Sequence, residues 1–242
     1  KVRLFLDYDF VKQQIIKVSP NQAHYLKNVM RLVVGDSILI FNGKDGEWEA
    51  VITTIGSRGI SLTVKNITRQ QVLSRDCWLL FPPIKARRTD FLVEKATELG
   101  ISRLIPIRTT FCEPKRFNHV KQRANAIEAS EQCLRLDIPS LSPLTSIDKV
   151  LNDWSPSRLI LFCDEKGVQP MEVIAQKVLS SQSSFAILIG PEGGFSEEER
   201  NKIKNNTFVH PVSLGQNILR TETAALAALC IALTSKELKY GD

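Results

Sequence analysis

Two short segments constrain this chain more than any others. In Ile187-Leu-Ile-Gly-Pro-Glu-Gly-Gly-Phe-Ser196 and Val212-Ser-Leu-Gly-Gln-Asn-Ile-Leu-Arg-Thr-Glu-Thr-Ala224, an apolar run breaks into a glycine turn and then a helix start. Strands that end in glycine turns along one edge of a parallel sheet build a crevice, and such crevices hold ligands. Either turn alone could be tight loop geometry. Two of them ending successive strands read as two walls of one site.

The second half of the chain keeps the same alternation. Cys77–Phe81, Ile101–Ile107, Leu159–Cys163, Phe185–Ile189 and Val209–Leu214 read as strands, with Pro106 marking a strand end or a sheet edge. Between them lie helices: one capped by Thr89 and ended by Gly100, and a long one from Asn118 to Leu136. A βαβα order implies an α/β fold with a mostly parallel sheet and helices on both faces. The last helix, Thr221–Leu233, is alanine-rich and apolar nearly all round, so it is buried on more than one side.

Residues 1–70 have a different period. Val2–Leu6, Gln14–Val18, Ser37–Phe41, Trp48–Ile52 and Ile60–Val64 are short β-rich runs, and Asn42–Gly46 is a hairpin-type turn. Ser19-Pro-Asn-Gln22 starts a helix that should run to about Leu32, with Lys27 and Arg31 one turn apart on an exposed face. These elements make a small β-barrel-like domain. A polar linker, Thr68–Arg75, separates it from the second domain, so the expected division is 1–70 and 76–242.

Charge is segregated. Residues 82–123 carry ten lysines and arginines against four acids, and residues 1–70 ten against six, while residues 151–242 carry nine against eleven. The positive surface of the first half suits a polyanion, and the glycine-turn region suits something else. The five cysteines include no C-x-x-C pair, which fits a reduced, cytoplasmic protein. Three widely spaced histidines and no H-E-x-x-H argue against a metal site, and no apolar run approaches a membrane span. The amino terminus does not read as a signal peptide.

The first turn matches neither G-x-G-x-x-G nor the P-loop. Ser196 and Glu199 form a capping box, and Glu197, Glu198 and Glu199 all occupy the first helical turn. A helix start already occupied by its own carboxylates is a poor site for a phosphate, which would need those same amides. The ligand at this point is therefore neutral or cationic. S-adenosylmethionine, a sulfonium without phosphate, fits.

Gly-Pro-Glu-Gly-Gly-Phe-Ser, Leu-Gly-x-x-Ile-Leu-Arg-x-Glu-Thr-Ala and Lys85-Ala-Arg-Arg-Thr-Asp-Phe-Leu-Val-Glu-Lys-Ala-Thr-Glu-Leu-Gly100 resemble the RsmE family. These are SPOUT-superfamily methyltransferases that act on N3 of a uridine in small-subunit (16S) ribosomal RNA. His24–Arg31 and Glu131-Gln-Cys-x-Arg135 extend the resemblance over the whole chain. It implies an N-terminal PUA-like domain, a C-terminal trefoil knot, S-adenosyl-L-methionine as cofactor, and a homodimer that acts on ribosomal RNA in the assembled subunit, with no metal. The cofactor would lie against Phe162, Cys163, Leu188, Gly190, Gly193, Gly194, Leu214, Gly215, Ile218, Leu219 and Thr223.

Uridine N3 reacts as an anion, so a cation or a proton acceptor is needed beside it. Arg220 is the candidate for stabilising that anion, unless it is spent on an ion pair with Glu192 or Glu222. Glu192 could accept the proton, or only hold its loop. The RNA surface would combine Arg3, Lys27, Arg31, Lys85, Arg87, Arg88, Arg108, Arg116 and Arg123. Two rival functions remain at this level: an RNA-binding ribosome-assembly protein without methyl transfer, and a SPOUT methyltransferase acting on transfer RNA.

Overall fold

The protein is described by a computed structural model covering residues 1–57, 59–112, 117–167, 169–179 and 184–234. It divides into two units: Lys1–Leu73 together with Ser130–Ile138, and Ser74–Ala129 together with Pro139–Asp242.

In the first unit, β1 (Arg3–Phe5), β2 (Ile15–Lys17), β3 (Ser37–Phe41), β4 (Glu47–Gly56) and β5 (Gly59–Arg69) form one sheet in the order β1-β3-β4-β5-β2. β1 runs parallel to β3, and the other pairs are antiparallel. The β3–β4 turn is held by Asn42, whose Oδ1 accepts from the Lys44 and Asp45 N–H groups at 2.9 and 2.8 Å. It closes at Gly46, where φ is +80° and a Cβ would lie 2.3 Å from the Arg69 carbonyl oxygen, so only glycine fits. Leu4, Ile38, Ile40, Ala50, Ile52, Leu62 and Val64 alternate inward to form the core.

Helix α1 (Pro20–His24) begins with the expected capping box between Ser19 and Gln22. It then widens into a single π turn over Tyr25–Val29 and stops at Met30, and Arg31 follows in the left-handed region at φ +55°. Lys27 and Arg31 are both exposed, but Arg31 lies beyond the helix and does not share a helical face with Lys27.

Arg3 departs from its expected place on an RNA surface. Its side chain is only 3% exposed, paired with Glu47 at 2.8 Å, with the guanidinium 4.5 Å from the centre of the Phe41 ring. It also donates to the carbonyls of Ser130, Glu131 and Arg135, each at 2.9 Å. A guanidinium spent on one carboxylate and three carbonyls offers nothing to a phosphate. Its task is to fasten Ser130–Ile138 to the first strand. Arg3→Leu should lower unfolding stability by at most about 3–5 kcal/mol, because the buried Glu47 carboxylate loses its nearer cationic partner and keeps only Arg69 at 3.7 Å and the Thr68 hydroxyl at 3.1 Å. A urea titration reporting the midpoint checks this, and an unchanged midpoint would refute it.

The second unit is a sheet of β6 (Asp76–Phe81), β7 (Arg103–Arg108), β8 (Ser140–Leu141), β10 (Leu159–Cys163), β11 (Ser184–Ile189) and β12 (Val209–Val212), ordered β12-β10-β11-β6-β7-β8. The two-residue β9 (Thr145–Ser146) adds to β7, and every pairing is parallel. Its helices are α2 (Ala86–Glu98), α3 (His119–Gln132), α4 (Ile147–Asn152), α5 (Met171–Leu179), α6 (Glu197–Lys204) and α7 (Thr221–Thr234).

Helix α2 starts a turn before Thr89. The Thr89 hydroxyl instead reaches back to Ile84, donating to its carbonyl at 2.8 Å and accepting from its N–H at 3.1 Å. Helix α7 buries Thr221, Glu222, Ala224, Ala225, Ala228, Leu229 and Ala232, in keeping with its nearly uniform apolar composition. Among the described residues, no helix is long and apolar enough to cross a membrane, and no cluster of three His, Cys, Asp or Glu side chains could hold a metal ion.

Behind β10 the chain passes close to the end of β12. Asp164 N–H donates to the Val212 carbonyl at 3.0 Å, Ser213 N–H to the Gln169 carbonyl at 2.8 Å, and Met171 N–H to the Ser213 carbonyl at 3.0 Å. Gly167 sits at the tightest point, where a Cβ would come within 2.7 Å of the Val212 carbonyl oxygen.

Candidate active site

The carboxyl ends of β10, β11 and β12 open into one cleft, lined by Cys163–Glu165, by residues of Ile189–Phe195, by Ser213–Leu219, and by Arg200, Thr221 and Ala224. Parallel strands place all their carboxyl ends on one edge, which is why two loops distant in sequence meet there. The Thr221 hydroxyl donates to the Gly190 carbonyl at 3.0 Å and so ties the start of α7 to the first glycine loop. Within that loop Gly194 N–H donates to the Pro191 carbonyl at 2.9 Å, with Gly194 at φ +70°.

Seven of the expected cofactor residues line the cleft: Cys163, Gly190, Gly194, Leu214, Gly215, Ile218 and Leu219. Phe162 and Leu188 do not. Both are fully buried, and Phe162 packs edge-on against Phe195 at 5.3 Å, so they form the floor beneath the loops. Gly193 turns away toward Phe111, with a Cβ position 3.0 Å from the Phe111 Cβ. Thr223 is exposed on α7 and outside the lining, and Thr221, two residues earlier, takes the place expected of it.

Asp164 and Glu165, in the loop after β10, add acidic side chains to the cleft that were not named among the cofactor residues. Asp164 is completely buried and paired with Arg200 and, at 2.7 Å, with Lys204. Glu165, 45% exposed, receives Arg200 at 3.2 Å. An acid directly after a strand that ends beside glycine turns was a signal available in the sequence. Burial pulls the Arg200 guanidinium below its usual basicity. The Ser196–Glu199 capping box is present, and Glu199 also accepts from the Thr110 N–H at 2.7 Å. The Glu199 N–H in the first turn of α6 is thus committed to the Ser196 hydroxyl, and the Glu199 carboxylate to the Ser196 and Thr110 N–H groups.

Arg88, expected on the RNA surface, stands inside this machinery. Its Nε and Nη2 hold both oxygens of Glu222, the former at 2.7 Å, while Nη1 bonds to Glu192 in the first glycine loop. One guanidinium therefore links α2, the Gly190–Gly194 loop and α7. Burial pushes the Glu222 carboxyl up, but the bonds and charge of Arg88, with help from Arg220, outweigh it and hold it below the usual carboxylate range. The same contacts raise Arg88.

With both acids taken by Arg88, the Arg220 side chain has no hydrogen bond or ion pair among the described residues and is exposed between the lining residues Leu219 and Thr221. Of the other basic residues, Lys85 and Arg87 are exposed beside Arg88, and Arg108 and Arg123 are exposed elsewhere in the second unit. Arg116 lies outside the described residues.

A family model described as an RNA methyltransferase domain matches residues 72–233, and one described as an RNA methyltransferase PUA domain matches residues 18–65. The Rickettsia conorii protein named ribosomal RNA small subunit methyltransferase E is 31% identical over 228 residues, covering 94% of this chain and 93% of that protein. The chain belongs to this methyltransferase family.

The family member of the same name from Bacillus subtilis is 27% identical, with 97% of each chain covered. Among solved structures, the methyltransferase Lpg2936 from Legionella pneumophila, in complex with the bound cofactor SAM, is 26% identical. It superposes with a TM-score of 0.86 over 97% of both chains. The parallel α/β sheet and the PUA-like amino-terminal domain are those of the family, and the cleft lies in the part matched by the methyltransferase model.

Proposed function

We propose that this protein transfers a methyl group from S-adenosylmethionine to N3 of a uridine in 16S ribosomal RNA, acting in the cytoplasm as a homodimer on the small subunit. The observation that carries this reading is the cleft. It is walled by two glycine loops and acidic side chains, Glu197, Glu198 and Glu199 fill the first turn of the adjoining helix, and an arginine whose side chain has no ion pair among the described residues stands at its rim. Carboxylates gathered at that helix start favour a cationic ligand over a nucleotide polyphosphate. The sulfonium supplies an activated methyl group.

Within that reading, Cys163, Gly190, Gly194, Leu214, Gly215, Ile218 and Leu219 hold the cofactor. Arg220 faces the charge that develops on the uridine carbonyl oxygens when N3 loses its proton. Glu192, bonded to Arg88, holds the first loop. Lys27, Arg31, Lys85, Arg87, Arg108, Arg116 and Arg123 supply phosphate contacts. The close approach of Gly167, Gln169 and Met171 to Val212 and Ser213 supports a trefoil knot.

Nucleoside analysis of 16S ribosomal RNA from cells lacking the protein tests the assignment. Loss of N3-methyluridine is the expected result, and an unchanged level refutes it. Calorimetry should show binding of S-adenosylmethionine and none of ATP.

A further inference from the structure

At the opposite edge of the same sheet, the amino ends of β6, β7 and β10 border a second cavity of about 620 Å³, within the size range of ligand sites. Strands of five or six residues put it roughly 17–20 Å from the cofactor cleft. Its inner surface includes Ile105, Leu144, Val150 and Trp154, with Trp78 meeting Trp154 edge-on at 5.5 Å.

Two guanidiniums lie over the Trp78 ring, Arg158 at 3.6 Å and Arg103 at 4.7 Å. Arg158 is spent: it binds Asp76 and the Phe185 carbonyl. Arg103 is half-buried in the cavity wall and is anchored through Nε to the Ser142 hydroxyl at 2.9 Å. Lys149, 71% exposed, stands on the rim, with Asp153 4.0 Å away.

An apolar hollow, a guanidinium plane fixed on an indole, and a lysine at the mouth together match a planar base that carries a phosphate. RNA-binding proteins read splayed-out bases by stacking them on aromatic or arginine planes. We propose that this cavity accepts one unstacked nucleotide of the RNA substrate, its base against Arg103 and the apolar wall and its phosphate at Lys149. The site would grip the RNA away from the reacting uridine and so add to selection of the substrate. The proposal rests on the RNA methyltransferase reading.

The chain has three tryptophans, Trp48, Trp78 and Trp154. In a Trp48→Phe background the fluorescence therefore reports on this cavity alone. Titration with an oligouridylate of about ten nucleotides should give saturable quenching, with free UMP binding far more weakly. Arg103→Gln and Lys149→Glu should each weaken oligonucleotide binding about tenfold, with S-adenosylmethionine affinity and melting temperature unchanged for Lys149→Glu.

Quenching that neither variant alters, or no quenching by a protein that still methylates ribosomal RNA, would overturn the proposal. UMP binding as tightly as the oligonucleotide would also overturn it, making the cavity a site for free nucleotides. A protein that neither binds S-adenosylmethionine nor methylates RNA would instead fail the underlying reading.

Discussion

Arg220→Ala should cut methyl transfer to small-subunit ribosomal RNA by about 100- to 1000-fold, the usual cost of removing one donor aimed at a developing oxyanion. S-adenosylmethionine affinity and melting temperature should hardly change, because the exposed side chain makes no hydrogen bond or ion pair among the described residues. Arg220→Lys should recover part of the rate, since a point charge replaces the fork without its paired donors. Single-turnover transfer of a labelled methyl group measures this directly. A variant that retains the wild-type rate removes Arg220 from the chemistry.

Arg88→Ala should act through the cofactor. Its loss releases Glu192 and leaves the largely buried Glu222 carboxylate without its bidentate partner, at a cost of about 1–3 kcal/mol in stability. The first glycine loop loses its tether to α2, so the dissociation constant for S-adenosylmethionine should rise at least about tenfold. Arg88→Lys should repair little, because one ammonium cannot bridge two carboxylates in this geometry.

The pH dependence follows from Glu222, whose carboxyl is held below its usual range by Arg88 against the opposing push of burial. A lowered folded-state pKa gives stability that is fully present above the unfolded value, near 4.3, and is lost as pH falls through the folded value. Melting curves between neutral and acid pH should show Arg88→Ala converging on the wild type at the acid end. Equal cofactor affinity in Arg88→Ala and wild type would show that the bridge does not position the loop.

What the sequence disclosed follows from the range of the interactions. The glycine turns and the Ser196–Glu199 cap are local, written within a few consecutive residues, and the cleft is built from them. Arg88 could be read only as one basic residue among several, because its partners lie 104 and 134 positions away. Arg3 misled for the same reason, with acceptors 44 to 132 positions distant.

Phe162 and Leu188 lie beneath the cleft, while the residues that follow them, Cys163 and Ile189, line it. Strands buried on both faces lack the apolar–polar alternation that would show which residue reaches the edge. The short strands β8 and β9 and the helix α4 escaped notice because two-residue strands carry no period to detect.

The fastening of Ser130–Ile138 to the first strand also bears on how the chain is made. Synthesis runs from the amino end, so β1 to β5 emerge early, yet Arg3 finds the carbonyls of Ser130, Glu131 and Arg135 only after those residues have followed. At translation rates of about 5–20 residues per second, that wait lasts several seconds. During it, Arg3 has only Glu47 and the Phe41 ring to meet. The first unit is therefore completed only after the first stretch of the second, Ser74–Ala129, has been made, and a nascent chain halted before residue 130 would carry a β-sheet without its last fastening.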